Sequence, residues 1–469
     1  MLRIEFVKER DISDGYGKLM QLNRFLGRYK RAVPQLFAKI KDSSFLKNMM
    51  IVMSGTVFAQ IINYAMSPII SRLFTPANFG VLGSFSAVSG IIAAGATLDY
   101  SQALMLPREK EEAINLFGFS TICTLMIGLL CALFCTIAPG TANSLMKTKG
   151  VWPLILLVIA VVVAGINDSL QAWAVRVKAF KHTSSSQVIR SLSSSGTRVG
   201  FGFLKTGAGG LIISKILADI SACVKLARVY FSEPSTLRTM INWERMKRLA
   251  KEYYDFPLYS ASQNIINALS NGLPVLLLTR FYGISVAGSY AFGITIIQVP
   301  MGFILTALRQ VLFQKASESQ HQGKSLASLY IKTTAVLFAM AIVPSIILMI
   351  WAPQIFSWVF GSRWQLSGQL ARGLVIWLAI VFCNLPAVLF SRIIRVQRFV
   401  FFYDIGLLIA RTLALVLGGI YLTVLTTVMV FALVGAAMNV LLIIIVGYWV
   451  MKKEGTVQIT QVRDYLFGK

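Results

Sequence analysis

A chain of 469 residues that is 56% hydrophobic, with a mean hydropathy of +0.69, carries too much apolar sequence for a water-soluble domain and reads as a polytopic helical membrane protein. Its formal charge is +26. Lys and Arg gather between the apolar runs, however, with no zinc-ligand, helix-turn-helix or RNA-binding pattern beside them, so no nucleic-acid partner is expected.

The chain opens with a basic arm, residues 1–46, that holds no apolar leader segment. Within it Leu19, Leu22, Leu26, Tyr29, Val33, Leu36 and Ile40 recur every three or four residues. Lys18, Arg24, Arg28, Lys30, Arg31, Lys39 and Lys41 fill the other faces, and no acid lies between Asp14 and Asp42. The pattern predicts an interfacial amphipathic helix, bent near Pro34, that binds anionic membrane lipids through residues 18–41. A solvated basic tail is the plainer reading of the same residues.

At about 20 residues per crossing, twelve transmembrane helices follow. Six lie at 47–70, 80–98, 114–137, 152–175, 184–204 and 210–229, within an N-terminal lobe of 47–230. A linker over 231–256 leads to a C-terminal lobe, 257–451, with helices at 257–279, 286–308, 329–350, 366–390, 400–420 and 424–450, and a tail at 452–469. Of the 45 Lys and Arg, 35 fall on the side of the two termini and six on the other. That asymmetry makes both termini cytoplasmic. The halves echo one another: Arg72 to Gly80 and Arg280 to Gly288 span the same eight positions at an offset of 208, with Pro68 and Pro274 ahead of them. Two parallel six-helix repeats predict a transporter with its site between the lobes.

The five cysteines, Cys123, Cys131, Cys135, Cys223 and Cys383, lie in apolar runs away from the two histidines, His182 and His321. They read as small buried hydrophobes, and no metal site is expected. No phosphate-binding loop, nucleophile elbow or paired His and carboxylate appears, and the outer loops are short, so neither an enzyme nor a cofactor is expected.

Four cations, Arg198, Lys215, Arg372 and Arg411, fall away from the cytoplasmic ends of the predicted spans, at membrane depth. There each charge costs about 2.5–3.5 kcal/mol and marks a functional interior by default. Arg280 sits near the outer mouth with Arg372, which is also placed to snorkel to the surface. Arg198 shares its helix with Arg190, Ser191, Ser193, Ser194, Ser195 and Thr197, too polar a run to face lipid; it lines a cavity or packs as a polar helix interface. Lys215 and Asp219 stand at i, i+4, either as a self-neutralising pair or as part of a site. Asp404 and Arg411 are about 10 Å apart along their helix, too far to pair directly. Asp168, Asp219 and Asp404 are the interior carboxylates, and they are the candidates for coupling to protons or sodium. A mixed but net positive interior suits a phosphate-bearing, sugar-bearing substrate and repels a hydrophobic cation.

Several stretches resemble the polysaccharide transporter family, the Wzx-type flippases of O-antigen and exopolysaccharide pathways. That family shares a superfamily with the MATE exporters and the lipid II flippase. The stretches are Ser67-Pro-Ile-Ile-Ser-Arg-Leu-Phe-Thr-Pro-Ala-Asn-Phe-Gly80, Tyr100-Ser-Gln-Ala-Leu-Met-Leu-Pro107 with Glu111-Glu-Ala-Ile-Asn-Leu116, Gln171-Ala-Trp-Ala-Val-Arg-Val-Lys-Ala-Phe180, and Tyr254-Asp-Phe-Pro-Leu-Tyr-Ser260 with Leu269-Ser-Asn-Gly-Leu-Pro274. The similarity covers about 45–450. The resemblance implies an ion-coupled flippase of the bacterial inner membrane. It would hold an undecaprenyl-pyrophosphate-linked oligosaccharide through Arg198, Lys215, Arg411, Arg372 and Arg280, and work beside polysaccharide assembly proteins. The basic arm is longer than the family pattern, and Asp219 stands where an uncharged polar residue is usual. Two rival readings are a MATE-like small-molecule antiporter and a non-transporting membrane subunit of a glycan synthase or export complex.

Overall fold

The computed structural model describes residues 44–231, 241–321, 325–394 and 396–467; the amphipathic helix expected over residues 18–41 lies outside them. The chain divides into two compact units, Met1–Ser54 and Gly55–Lys469. Every regular element among the described residues is a helix.

The first half contains α1 (Ser44–Leu73), α2 (Pro76–Ala94), the short α3 (Tyr100–Ala103), α4 (Lys110–Ile137), α5 (Pro139–Met146), α6 (Trp152–Arg176), α7 (Phe180–Phe203) and α8 (Gly207–Tyr230). After α9 (Trp243–Glu252) and a π-helical turn, Phe256–Ala261, come α10 (Ser262–Tyr282), α11 (Ile284–His321) and α12 (Leu326–Phe360). They are followed by α13 (Gln365–Cys383), α14 (Leu385–Ile393), α15 (Gln397–Tyr421) and α16 (Val424–Phe467). Among the described residues, eight stretches are long and apolar enough to cross a membrane by length and composition: α2, α4, α6, Ile284–Thr306 of α11, α12, Ser362–Ile393, α15 and Val424–Lys453 of α16.

Local chemistry sets the joints. Thr75 accepts a hydrogen bond from the Asn78 amide at 3.3 Å, and Pro76 supplies a preset first turn for α2. Gly283 at φ +91 lets α10 turn directly into α11. The expected helix 366–390 is two helices that meet at Asn384, because Pro386 suits the first turn of a new helix and disfavours the interior of an old one. The expected linker is also more than a loop. Asn242 caps α9, Met246 and Leu249 are buried, and Arg245 and Arg248 pair with Glu111 and Glu112 at the start of α4.

Buried apolar side chains form four clusters. Two draw on residues 70–216 and 100–249, and two draw on residues 275–436 and 312–450. Phe79 of α2 packs against a cluster from each half. Outside these clusters, the helices present Leu129, Ile137, Trp152, Trp358, Phe402 and Ile420 outward. Only 11% of the most apolar stretch of α12 is buried, against 72% for Ser362–Ile393. A helix so apolar and so uncovered is built for a hydrocarbon solvent, where its backbone is satisfied internally.

The two halves meet at a reciprocal crossing. A Cβ on Gly80 would lie 1.9 Å from the Ile284 carbonyl oxygen, and one on Gly288 would lie 1.8 Å from the Pro76 carbonyl oxygen. Both contacts pair positions at the offset of 208 read from the sequence, which is the signature of a two-fold-related contact. At the same end Ser71 donates to the Phe360 carbonyl at 3.1 Å, and Trp364 Nε1 donates to the Ser71 carbonyl at 2.9 Å. Phe79 packs edge-on against Phe292 and Trp364, each at 5.2 Å.

Candidate functional site

Between the halves lies a cavity of about 600 Å³. From α1 it takes Gln60, Asn63, Tyr64 and Ser67, which share one helix face by their spacing of three and four. From α2 it takes Gly83, Ser86, Ala87 and Gly90, small residues that leave the space open. Asn271 of α10 and Gln298 and Thr295 of α11 line the opposite wall, with Tyr290.

A second compartment, about 330 Å³, runs beneath α1 toward α7 and α8. Gln60, Asn63, Leu82, Ser86, Ser194 and Arg198 line both spaces. Arg198 therefore stands at their junction, and its Nε is buried without a hydrogen-bond partner. The deeper compartment adds Gln187, Arg190, Lys215 and Asp219. Asp219 is 5% exposed and pairs with both Arg190 and Lys215, the latter at 3.3 Å. Three cations thus face one carboxylate, and two of them share it.

The serine-rich face of α7 does two jobs. Ser191 and Ser195 donate to the Ala59 carbonyl and to Asn63 Oδ1 of α1, which seals a polar helix interface. Ser194 and Arg198, further round the helix, face the cavity.

The remaining expected site residues lie elsewhere. Arg411 is 5% exposed, sits in the C-terminal half against aromatic rings, and is not among the lining residues of either compartment. Arg372 donates to the Ile350 carbonyl of α12 at 2.6 Å. Arg280 is exposed in the last turn of α10. Asp404 accepts a hydrogen bond from Gln263 of α10 at 3.4 Å. Asp168 is exposed on α6, within electrostatic reach of Arg190, Asp99 and Asp219.

The amides Gln60, Asn63, Asn271 and Gln298, and the carboxylate Asp99, escaped the sequence reading. A search for uncharged amides inside apolar runs would have found the first four. Asp99 follows α2 in a left-handed conformation, φ +59, and is 8% exposed. Asn264 of α10 donates to it at 3.2 Å, so it joins the halves away from the Gly80 crossing. Burial pushes its carboxyl up from the usual 3.8 to about 6, against the hydrogen bonds from Ser260 and Asn264, which pull it down. A carboxyl raised in the folded state holds its proton there while the unfolded chain has lost it. Its stabilising contribution is complete below pH 3.8 and is lost as pH rises through about 6. Thermal unfolding of the purified protein is therefore expected to show a midpoint that falls across this window. Asp99→Asn is expected to flatten the profile, and an unchanged slope would show that another group is responsible.

Residues 69–368 match the family model described as polysaccharide biosynthesis protein. The succinoglycan biosynthesis transport protein ExoT of Rhizobium meliloti (strain 1021) is 22% identical over 302 residues, which cover 63% of this chain and 58% of that protein. This chain thus spans under two thirds of that relative's length. An inward-facing multidrug resistance MATE family transporter of the MOP superfamily superposes with a TM-score of 0.66 at 17% identity, over 86% of this chain and 96% of that one. The lipid II flippase MurJ in an inward closed conformation gives 0.64 at 12% identity, over 87% and 93%. The chain shares the fold of both.

Proposed function

The chain belongs to the polysaccharide biosynthesis protein family, and from that membership we propose that it carries a lipid-linked oligosaccharide across the membrane by alternating access between two six-helix lobes. It is a multi-pass membrane transport protein rather than an enzyme. The observation that carries the reading is Arg198, a half-buried arginine whose Nε is buried and unpaired, at the junction of two connected polar spaces.

In this reading the pyrophosphate of the lipid carrier meets Arg198, whose planar fork matches phosphate oxygens. Lys215 and Arg190 supply further positive field, moderated by Asp219 so that the headgroup can leave. Asn63, Gln60, Asn271 and Gln298 offer donors and acceptors to sugar hydroxyls, and the lipid tail stays in the bilayer through a lateral gap between the lobes. The crossing at Gly80 and Gly288 closes the outer end, and the excess of Lys and Arg on the other side makes both termini cytoplasmic in the bacterial inner membrane. A proton or sodium ion drives turnover through Asp168, Asp219 or Asp404. Among the described residues, the lining of both compartments contains a single acid, Asp219, already paired, which disfavours an exporter of hydrophobic cations.

Depleting the protein from cells tests this. Lipid-linked oligosaccharide is expected to accumulate in a form that an impermeant sugar-oxidising probe cannot reach, while surface glycan declines. Unchanged surface glycan, with the intermediate still accessible from outside, would refute the reading.

A further inference from the structure

Arg411 presents a charge problem that the cavity does not solve. It is 5% exposed, and its guanidinium carbon lies 4.1 Å from the Trp377 ring and 4.4 Å from the Phe431 ring. Those rings stand 5.6 Å apart at 70°, so the cation occupies the angle between them. One nitrogen, Nη1, donates to Ser270 Oγ at 3.2 Å. Nε has no partner. Among the described residues, the titratable groups within electrostatic reach are Tyr290 and Tyr403, neither of which is anionic at neutral pH. Asp404 is not among them, and accepts a hydrogen bond from Gln263.

Aromatic faces soften the burial of a guanidinium but do not neutralise it. Arginine does not shed its proton, so an uncompensated buried charge must find an anion. The surroundings are built from donors. Tyr403 Oη on the same helix is buried without a partner, and so is Trp377 Nε1, on one of the rings that Arg411 packs against. Arg411 and Tyr403 lie on α15 and Trp377 on α13, and the other residues in reach of the guanidinium are Ser270 of α10, Tyr290 of α11 and Phe431 of α16.

We propose that Arg411, with the unpaired donors of Tyr403 and Trp377, forms a buried site for a small free anion of the halide class inside the C-terminal half. The site stands behind the cavity wall: Tyr290 lines the cavity and lies within reach of Arg411, but Arg411 itself does not line the space. A halide needs only N–H and O–H donors and the positive edges of aromatic rings around it. A phosphate or a sugar acid brings more acceptor oxygens than this enclosed corner can satisfy. The proposal is independent of the transported substrate.

The test uses the full chain, purified in nanodiscs, with thermal unfolding followed at fixed ionic strength. Replacing gluconate with chloride or bromide is expected to raise the midpoint saturably. Inorganic phosphate and pyrophosphate in halide-free buffer are expected to give no rise that depends on Arg411. Arg411→Gln is expected to abolish the halide response. Should that variant fail to fold, Tyr403→Phe, which removes one donor, is expected to raise the half-saturating halide concentration about three- to tenfold. Arg198→Gln is expected to leave that concentration at the wild-type value, which separates this site from the substrate cavity. Equal midpoints in chloride and gluconate would overturn the proposal, as would a wild-type halide response in both Arg411→Gln and Tyr403→Phe. An Arg411-dependent response to pyrophosphate alone would assign the residue to the substrate instead.

Discussion

Arg198→Gln is expected to lower translocation of the lipid-linked oligosaccharide about 10- to 100-fold while the protein still folds and inserts. The estimate follows from the roughly 1.5–3 kcal/mol that a hydrogen bond to a charged partner contributes. Arg190 and Lys215 already share Asp219, so Arg198 is the lining cation that holds no ion pair among the described residues. Under the proposed function, losing it removes the charge that would offset the pyrophosphate where the two compartments join. Arg198→Lys is expected to restore part of the activity if charge alone matters, and little if two phosphate oxygens must be gripped at once. The measurements are surface glycan, outer-leaflet intermediate and protein abundance in the same membranes. Full surface glycan in Arg198→Gln at normal abundance would remove the residue from the pathway.

Gly288→Ala is expected to force apart the end of the molecule where α2 meets α11. The new Cβ would lie 1.8 Å from the Pro76 carbonyl oxygen and 2.6 Å from the Gly80 nitrogen. Both are backbone atoms that no rotamer change can move. Overpacking of this kind costs about 1–3 kcal/mol in a rigid core. If the halves alternate between two arrangements, as proposed, the strain is relieved by separating the helices. Ser71, fully buried beside Trp364 and Phe360, reports this as a cysteine: Ser71→Cys is expected to resist an impermeant thiol reagent alone and to react with it when combined with Gly288→Ala. Gly80→Ala is expected to do the same. The double glycine variant is expected to be less than additive, because helices parted by one Cβ have room for the other. A silent cysteine and an unshifted unfolding midpoint in Gly288→Ala would mean that the contact is not tight in the membrane.

The helical body was legible because apolar runs are long and the breaks between them are polar. Helix ends were not, since α11 and α16 continue well beyond their apolar stretches into residues that are good helix formers but poor lipid partners. The short repeat from Arg72 to Gly80 was readable because a backbone crossing tolerates only glycine, and that leaves the same mark in each half. Arg198 and Lys215 were found together because a polar helix facing a polar helix can only look inward. The sequence cannot distinguish them from Arg411 or Arg372. A buried charge reports that something covers it, and two aromatic rings or the Ile350 carbonyl serve as well as a cavity. Asn63 and Asn271 were overlooked because an amide disturbs hydropathy less than a charge does, yet it can hydrogen-bond a sugar hydroxyl just as well.

The first turn of α10 begins with two neighbouring amides that reach different acids: Gln263 reaches Asp404 of α15, and Asn264 reaches Asp99 beyond α2. The stretch immediately before them, Phe256–Ala261, is wound with more than an α-turn's worth of backbone. Taking up that surplus would advance the helix by one residue, a turn of about 100° and a slide of about 1.5 Å. Since adjacent side chains on a helix differ by that same angle, the step would carry one amide to the bearing now held by the other. Asn271 and Val275, further along the same rod, would swing with it and present a different wall to the cavity. The azimuth of that wall is thus set outside the cavity, by how six residues ahead of α10 are wound.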